Sequence, residues 1–267
     1  LVRRDGGREL ARAEGPAAEI GARIADERRR EHEPITFTVD GNLPEPLRWG
    51  TTDTGERVVL QRVASQSSAG QTSFVAVVSF DQQLRLTVGE PVPDGAAEGI
   101  RALPGRETDS FVRLDTGAFD LELCSGKSEG LGSSKWGIRH FKGTSDGVEL
   151  LPSGNNAIGG FYGPFFTPEN GLINPPEHTK VLIETIECGP VLHHYRMRGI
   201  IPDGLLDELR GKSFTIDWSF YHRARYFRRK YVVDPFQTVI NGRSVTNKIT
   251  VGDEFEGGPG KLVFDRF

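Results

Sequence analysis

Residues 212 to 234 combine an alternating strand pattern with a run of basic and aromatic side chains. Successive side chains of a strand point to opposite faces of a sheet, so a two-residue period separates two surfaces. One surface is an apolar row, which we expect in the core: Phe214, Ile216, Trp218 and Phe220. The other carries Asp217 and Tyr221, and residues 222 to 230 contain no acid. This second surface suits an anionic or hydroxyl-rich ligand.

A second alternating strand, residues 191 to 198, carries candidate catalytic groups. Val191, His193, Tyr195 and Met197 share one face, and the opposite face presents Leu192, His194, Arg196 and Arg198. Abstraction of a proton next to a carboxylate needs a base with a pKa near neutrality and positive charge where negative charge develops. Beside Asp217, we therefore predict His194 or Tyr221 as the base and Arg196 as a cation. The alternative is a solvated face of an ordinary sheet.

The basic run 222 to 230 has two interpretations. Arg225 would hold a carboxylate through two parallel hydrogen bonds, a geometry that the guanidinium group favours. Alternatively, the charges protect an exposed edge strand. Nucleic-acid binding favours a basic domain, and the formal net charge of −4 therefore predicts no nucleic-acid partner.

The turn-rich segment 154 to 178 places polar side chains among aromatic ones. Aromatic rings stack on sugar rings, and amides bond to hydroxyl groups. The predicted ligand contacts are Asn155, Asn156, Tyr162, Glu169, Asn174 and His178, together with Trp136 after the preceding polar loop. Trp49 is a further stacking candidate. The alternative is that these aromatic residues form a satellite core beneath a long loop.

The elements that must position these residues are short strands. The chain has 33 Gly and 16 Pro among its 267 residues, many in turn-forming pairs. We predict an all-β protein with a polar, partly helical N-terminal segment at 1–33, a small β-domain at 34–100 and an antiparallel β-sandwich at 101–267. Short helices are expected within 16 to 33 and 203 to 212.

Several segments resemble carbohydrate-active proteins. The Trp49-Gly50 turn, the strand from Gly55 to Gln61 with the pattern G-x-x-V-x-x-Q, and a strand-rich close at residues 89 to 91 are similar to the small β-domain that precedes their sandwich. Residues 114 to 126, 184 to 199 (with the E-x-GP-V crossing) and 215 to 234 resemble strands of the galactose-mutarotase-like β-supersandwich.

This resemblance implies a carbohydrate-active enzyme of bacterial glycan breakdown, a lyase or hydrolase of an acidic poly- or oligosaccharide. In such lyases a Tyr or His takes the proton, so Tyr221 or His194 would be the base and Arg196 and Arg225 would hold the carboxylate. Two alternatives stay open. One is a non-catalytic carbohydrate-binding or structural protein, and the other is a sugar epimerase or mutarotase that pairs His194 with Glu184 or Asp217.

No cofactor is predicted. Cys124 and Cys188 lack zinc-ligand spacing, and we expect two buried free thiols, with a single disulfide as the alternative. Oxygen ligands for Ca²⁺ are conceivable at Asp253, Glu254 and Glu256, without the spacing of a known calcium loop. No segment approaches the ~18 apolar residues of a membrane span, so no membrane partner is predicted.

The sequence leaves location and assembly open. The first residues contain no apolar stretch typical of a signal peptide. The chain does not begin with Met, and its last strand pattern is typical of the middle of a domain. We therefore expect a piece of a longer protein that is secreted, periplasmic or cytoplasmic, in an undetermined oligomeric state.

Overall fold

A computed structural model describes residues 2–5, 8–14, 21–25, 30–80, 83–126, 134–151, 154, 156–162, 180–201, 210–240, 242–246 and 250–251. These residues form antiparallel strands and one 3-10 turn, Ala64–Gln66, so the predicted all-β class is confirmed. None of the described residues belongs to a helix of the length and apolarity that crossing a bilayer requires.

The first eight strands form one sheet in the order β1-β2-β3-β8-β5-β6-β7-β4. The strands are β1 (Val2–Asp5), β2 (Arg8–Glu14), β3 (Gly21–Ala25), β4 (Arg30–Asp40), β5 (Leu47–Thr52), β6 (Arg57–Arg62), β7 (Gln71–Phe80) and β8 (Gln83–Pro91). The sheet is curled, because β4 at one end approaches β2 and β3 near the other. Its inner face buries alternate residues of several strands, including Phe37, Leu60, Phe74 and Leu86. We call it the curled sheet.

Two four-stranded sheets then pack face to face as a sandwich. The second sheet holds β9 (Arg101–Leu103), β10 (Ser110–Asp115), β11 (Phe119–Cys124) and β12 (Gly137–Gly143), and the third holds β14 (Val181–Cys188), β15 (Leu192–Ile200), β16 (Ser213–Tyr221) and β17 (Arg228–Val233). Two short pairs complete the described strands: β13 (Phe161–Tyr162) with β20 (Thr250–Val251), and β18 (Gln237–Ile240) with β19 (Arg243–Thr246).

The alternation of β16 sets the sandwich core as predicted. All four residues of its apolar row are almost wholly buried and pack against β10, β11 and β12. Trp218 stacks near Phe220, with 6.3 Å between their ring centroids. Truncation of such a large buried side chain typically costs about 3–5 kcal/mol, so this row contributes strongly to stability.

A buried side-chain amide is one of the contacts that join the curled sheet to the sandwich. Gln61 donates a hydrogen bond from Nε2 to the carbonyl of Leu192 at 3.0 Å, and its Oε1 accepts from the amides of Val191 and Leu192 at 2.9 and 2.8 Å. A Cβ on Gly189 would lie 2.5 Å from Cδ of Gln61, so the turn between β14 and β15 approaches closely only with glycine there. The strand with the pattern G-x-x-V-x-x-Q, which ends at Gln61, thus contacts the turn between β14 and β15 that carries the pattern E-x-GP-V.

The structure differs from expectation in three places. Trp49 and Gly50, where the sequence predicts a turn, lie within β5. Where a helix was expected within 16 to 33, Gly21–Ala25 is β3 and β4 begins at Arg30, because antiparallel pairing with β8 and β7 outweighs the weak helical spacing. Both cysteines are free and Cys124 is buried, but Cys188 is exposed because it ends a strand at the margin of the third sheet. The helix expected at 203 to 212 falls mostly outside the described residues.

Candidate functional site

A cleft of about 390 Å³ opens where the curled sheet meets the sandwich. Its polar lining is His32, Trp49, Glu56, Arg57, Ser79, Glu98, His222 and Arg223, and its apolar lining is Val58, Val59, Val77, Ala96 and Val191. We call it the junction cleft. An aromatic ring, two imidazoles, two guanidinium groups and two carboxylates thus converge from both packed bodies.

Two residues of the junction cleft have an unusual backbone. His32 has φ +49° and Arg223 has φ +58°, and among the described residues these are the two non-glycine positions with positive φ. Tertiary contacts hold both: the amide of His32 donates to Oγ of Ser79 at 3.0 Å, and that of Arg223 donates to the carbonyl of Thr116 at 2.7 Å. Left-handed backbone at non-glycine residues is sparse and concentrates at functional sites. Both of these left-handed positions lie at the junction cleft, which makes the cleft a candidate functional site.

The pKa of the His222 imidazole lies below the usual value of histidine. Burial lowers its pKa, the charge of Arg223 lowers it further, and the carboxylates of Glu98 and Asp115 act in the opposite direction. Its backbone is fixed by a hydrogen bond from its amide to the carbonyl of Val191 at 3.0 Å. A neutral imidazole near pH 7 is able to accept a proton, which is the requirement for a general base.

The cations of the junction cleft are paired with carboxylates at solvent-exposed positions. The guanidinium carbon of Arg57 lies 4.1 Å from the centroid of the Trp49 ring, and Nη2 of Arg57 lies 2.8 Å from Oε1 of Glu90. Nη2 of Arg223 lies 3.5 Å from Oε2 of Glu98. The side chains of Arg57 and Arg223 are 53% and 56% exposed. Ion pairs of this exposure contribute about 0–1 kcal/mol, so an anionic ligand competes for these cations at little cost.

Three predicted catalytic residues do come together, but on the outer face of the third sheet. Arg196 donates from Nε and Nη2 to the two carboxylate oxygens of Asp217 at 2.6 and 3.1 Å. Nε2 of His194 lies 3.6 Å from Oδ1 of Asp217. Burial would raise the pKa of Asp217, but the hydrogen bond and charge of Arg196 hold it below its usual value. Asp217 is therefore an ionised and paired carboxylate.

This pair belongs to a longer row of alternating charge. Strand register aligns Glu184, Arg196, Asp217 and Lys230 across β14 to β17. Arg198 also bonds to Glu184, with 2.6 Å between Nη2 and Oε1. We call the four aligned residues the outer charge row, in which each charge lies beside an opposite one.

Other predicted site residues line neither the junction cleft nor the outer charge row. Tyr221 is buried in a cluster with Val63 and Val75 of the curled sheet. Trp136 is fully buried and packs near Phe214, with ring centroids 5.9 Å apart, so its ring has no face open to a ligand. Asn156 is buried, and Arg225 is exposed in the turn after β16.

The remaining predictions fall on parts that the structure does not describe. Asn155, Glu169, Asn174, His178, Asp253, Glu254 and Glu256 lie outside the described residues, and of Tyr162 the description covers its place in β13. Within the described part of the chain, no group of three or more His, Cys, Asp or Glu side chains is arranged to hold a metal ion.

Sequence reasoning missed most of the junction cleft. Trp49 was considered as a stacking residue, and His222 and Arg223 lie in the basic run that the sequence singled out. His32, Arg57 and Glu98 carried no signal, because they come from segments far apart along the chain. Their convergence depends on docking of the curled sheet against the turn that follows β14.

No family model, no curated protein and no solved structure matches this chain. The structure itself defines an all-β protein with a sandwich and a curled sheet. The resemblance to the galactose-mutarotase-like supersandwich stays a prediction.

Proposed function

We propose that the protein is a carbohydrate-active enzyme that cleaves an acidic poly- or oligosaccharide by elimination in the junction cleft. The observation that carries this proposal is the convergence of His222 and Arg223 on the junction cleft, where Nη2 of Arg223 lies 3.5 Å from its carboxylate partner Glu98. A base beside a cation is what removal of a proton next to a carboxylate requires. The site thus differs from the one predicted around His194 and Tyr221, while elimination is one of the two reaction classes, lyase or hydrolase, that the sequence predicts.

In this mechanism, the guanidinium groups of Arg57 and Arg223 bind the uronate carboxylate and stabilise the negative charge that develops on it. His222 takes the proton from the carbon that bears the carboxylate. The electron pair of that C–H bond forms a double bond to the neighbouring carbon, and the C–O bond to the leaving sugar breaks. The leaving oxygen takes up a proton from water, and Trp49 contributes ring area at the cleft wall.

The test is incubation of the protein with a panel of uronic-acid and neutral glycans. Absorbance of the unsaturated uronate and the release of reducing ends are followed together. We expect both signals to rise with uronic-acid glycans and neither with neutral ones. Reducing ends without new absorbance would overturn elimination and indicate hydrolysis, for which Glu56 and Glu98 supply carboxylates in the same cleft.

A second candidate is a non-catalytic carbohydrate-binding protein. It is favoured by the openness of the site, since Glu98 is 86% exposed and the two arginines are about half exposed. Active sites generally exclude water to strengthen their electrostatic interactions, whereas binding surfaces function when hydrated. Retardation on affinity gels containing acidic glycan, without any change in the glycan, would establish this candidate.

A further inference from the structure

One face of the Trp49 ring in the junction cleft is covered by the guanidinium group of Arg57. Thr51 of β5 pairs in register with Arg57 of β6, so Arg57 is the diagonal neighbour of Trp49 on the same face of the curled sheet. The guanidinium carbon lies 4.1 Å from the ring centroid, a distance at which an aromatic face attracts a cation. A sugar ring stacks on an aromatic ring through such a face. The cation and a sugar ring therefore compete for that face of Trp49.

A carboxylate from the opposite neighbouring strand holds the guanidinium group in this position. Strand β5 lies between β6 and β8 in the curled sheet, and Glu90 belongs to β8. Nη2 of Arg57 lies 2.8 Å from Oε1 of Glu90, so the arginine side chain reaches across β5 to its partner. The side chains of Arg57 and Glu90 are 53% and 74% exposed, which places the ion pair in water. Exposed ion pairs and exposed cation–π contacts are both weak, so the cover over Trp49 is easily displaced.

A carboxylate bound in the junction cleft competes with Glu90 for the guanidinium group. Arg57 lines the cleft together with Arg223, so such a carboxylate meets a cation from each packed body. It replaces Glu90 as hydrogen-bond acceptor, and the exchange conserves the charge-assisted bonds of the arginine. A neutral sugar supplies no such acceptor, and it would have to displace the cation from the ring without compensation. The covered face of Trp49 is thus accessible mainly to a ligand that brings its own negative charge.

We propose that Arg57 determines the specificity of the junction cleft for acidic sugars by controlling access to Trp49. A carboxylate in the cleft draws the guanidinium group away from Glu90 and off the ring, and the uncovered face of Trp49 stacks on a sugar ring of the same ligand. Under the proposed function both residues contact the substrate, and binding of the carboxylate by Arg57 is the condition for stacking on Trp49. This specificity rests on the proposed function for the class of ligand, an acidic sugar, and does not depend on the elimination step.

The cover over Trp49 is tested by fluorescence quenching with acrylamide, a neutral quencher. The chain has three tryptophans, and quenching reports mainly on Trp49, because Trp136 and Trp218 are fully buried whereas Trp49 is partly exposed. We expect Arg57→Gln to raise the quenching constant about twofold, since the ring loses the cation that shields it. Arg223→Gln is the matched control, because it removes a cation of similar exposure from the same cleft, and it should leave quenching unchanged. Equal quenching in the wild type and Arg57→Gln would overturn the cover.

The selection of acidic sugars is tested by the binding of a uronic-acid oligosaccharide and of its methyl ester, which has the same sugar rings without the charge. Calorimetry is carried out in a His222→Gln background, from which the proposed base is absent. We expect Arg57→Gln to bind the acid about 10-fold more weakly and the ester about 2- to 5-fold more tightly, because the ring is then open to a neutral sugar. Arg223→Gln should weaken binding of the acid and leave binding of the ester unchanged. An ester bound no more tightly after Arg57→Gln would overturn the role of Arg57.

The outcome for Arg57 is separable from that of the proposed function. If the wild type releases no unsaturated uronate, elimination is overturned, and tighter ester binding by Arg57→Gln would still establish control of access to Trp49. If the wild type does eliminate, but Arg57→Gln discriminates acid from ester as well as the wild type, the role of Arg57 alone is overturned. Binding of neither ligand would overturn the selection of acidic sugars and the proposed function together.

Discussion

The junction cleft and the outer charge row contain similar side chains but pair them differently. In the row, strand register places each charge beside an opposite one, and Arg196 satisfies both oxygens of Asp217. In the cleft, Arg57 and Arg223 are about half exposed and each has one carboxylate partner at a surface position. A ligand gains most where the protein has left its charges incompletely paired. Alternation along a strand therefore identifies a polar surface. How completely its charges are paired is what distinguishes the junction cleft from the outer charge row.

The largest difference in turnover is expected between variants of His222 in the junction cleft and of His194 on the outer face of the third sheet. We expect His222→Gln to lower turnover of an acidic glycan about 100-fold or more, since loss of a general base typically costs 10²–10⁴. His194→Gln, on the outer face, should change turnover less than about twofold if that histidine takes no part in the reaction. Initial rates of product absorbance measure both. A larger loss of turnover in His194→Gln than in His222→Gln would contradict the assignment of the base to the junction cleft.

The junction itself should depend on Gln61. Replacement by Ala leaves the amides of Val191 and Leu192 and one carbonyl without their partner in a buried place. We expect a loss of about 3 kcal/mol in the free energy of unfolding. Urea unfolding monitored by tryptophan fluorescence measures it. Gln71→Ala is the matched control, because the side chain of Gln71 bonds to exposed Asp40, and a similar loss there would contradict the role assigned to Gln61.

The buried His193 of β15 should make the stability of the fold sensitive to acid. Burial lowers the pKa of His193 from 6.5 to about 4, so the unfolded chain binds a proton more readily than the folded chain. The folded state therefore loses stability as the pH falls from 6.5 toward about 4, by up to about 1.4 kcal/mol per pH unit. Unfolding free energies at several pH values should show a shallower loss in His193→Gln, and a loss as steep as that of the wild type would contradict this.

The smallest effect is expected within the outer charge row. A double-mutant cycle of Arg196→Ala and Asp217→Ala should give a coupling of about 0.5–1 kcal/mol, because the pair is partly exposed and screened. The low pKa of Asp217 means that this contribution is present above the ordinary pKa of 3.8 and is lost as the pH falls below it. A coupling above about 3 kcal/mol would show that the row is not an ordinary solvated surface.

Alternation predicted the core well but did not predict the lining of the junction cleft. The apolar row of β16 and the inward face of β15 are buried as their period requires. Tyr221 continues the polar face of β16 by period, yet it is buried, because the curled sheet covers that end of the face with Val63 and Val75. Trp136 follows a polar loop but enters the sandwich core. The two-residue period describes the two faces of a single sheet. It carries no information on which other element packs over either face.

The sequence by itself determined the all-β class and, from Ile35 onward, most of the strands and their inward and outward faces, since these follow from local turns and a two-residue period. Tertiary structure decided which polar residues converge. His32, Trp49 and His222 lie far apart along the chain, and they share a cleft because the curled sheet docks against the sandwich, where Gln61 binds the turn after β14 and an apolar cluster includes Val75 and Tyr221. The left-handed backbone of His32 and Arg223 likewise exists only because contacts from other strands hold it. Local preferences operate over a few residues, and a site assembled from two packed bodies requires the whole fold.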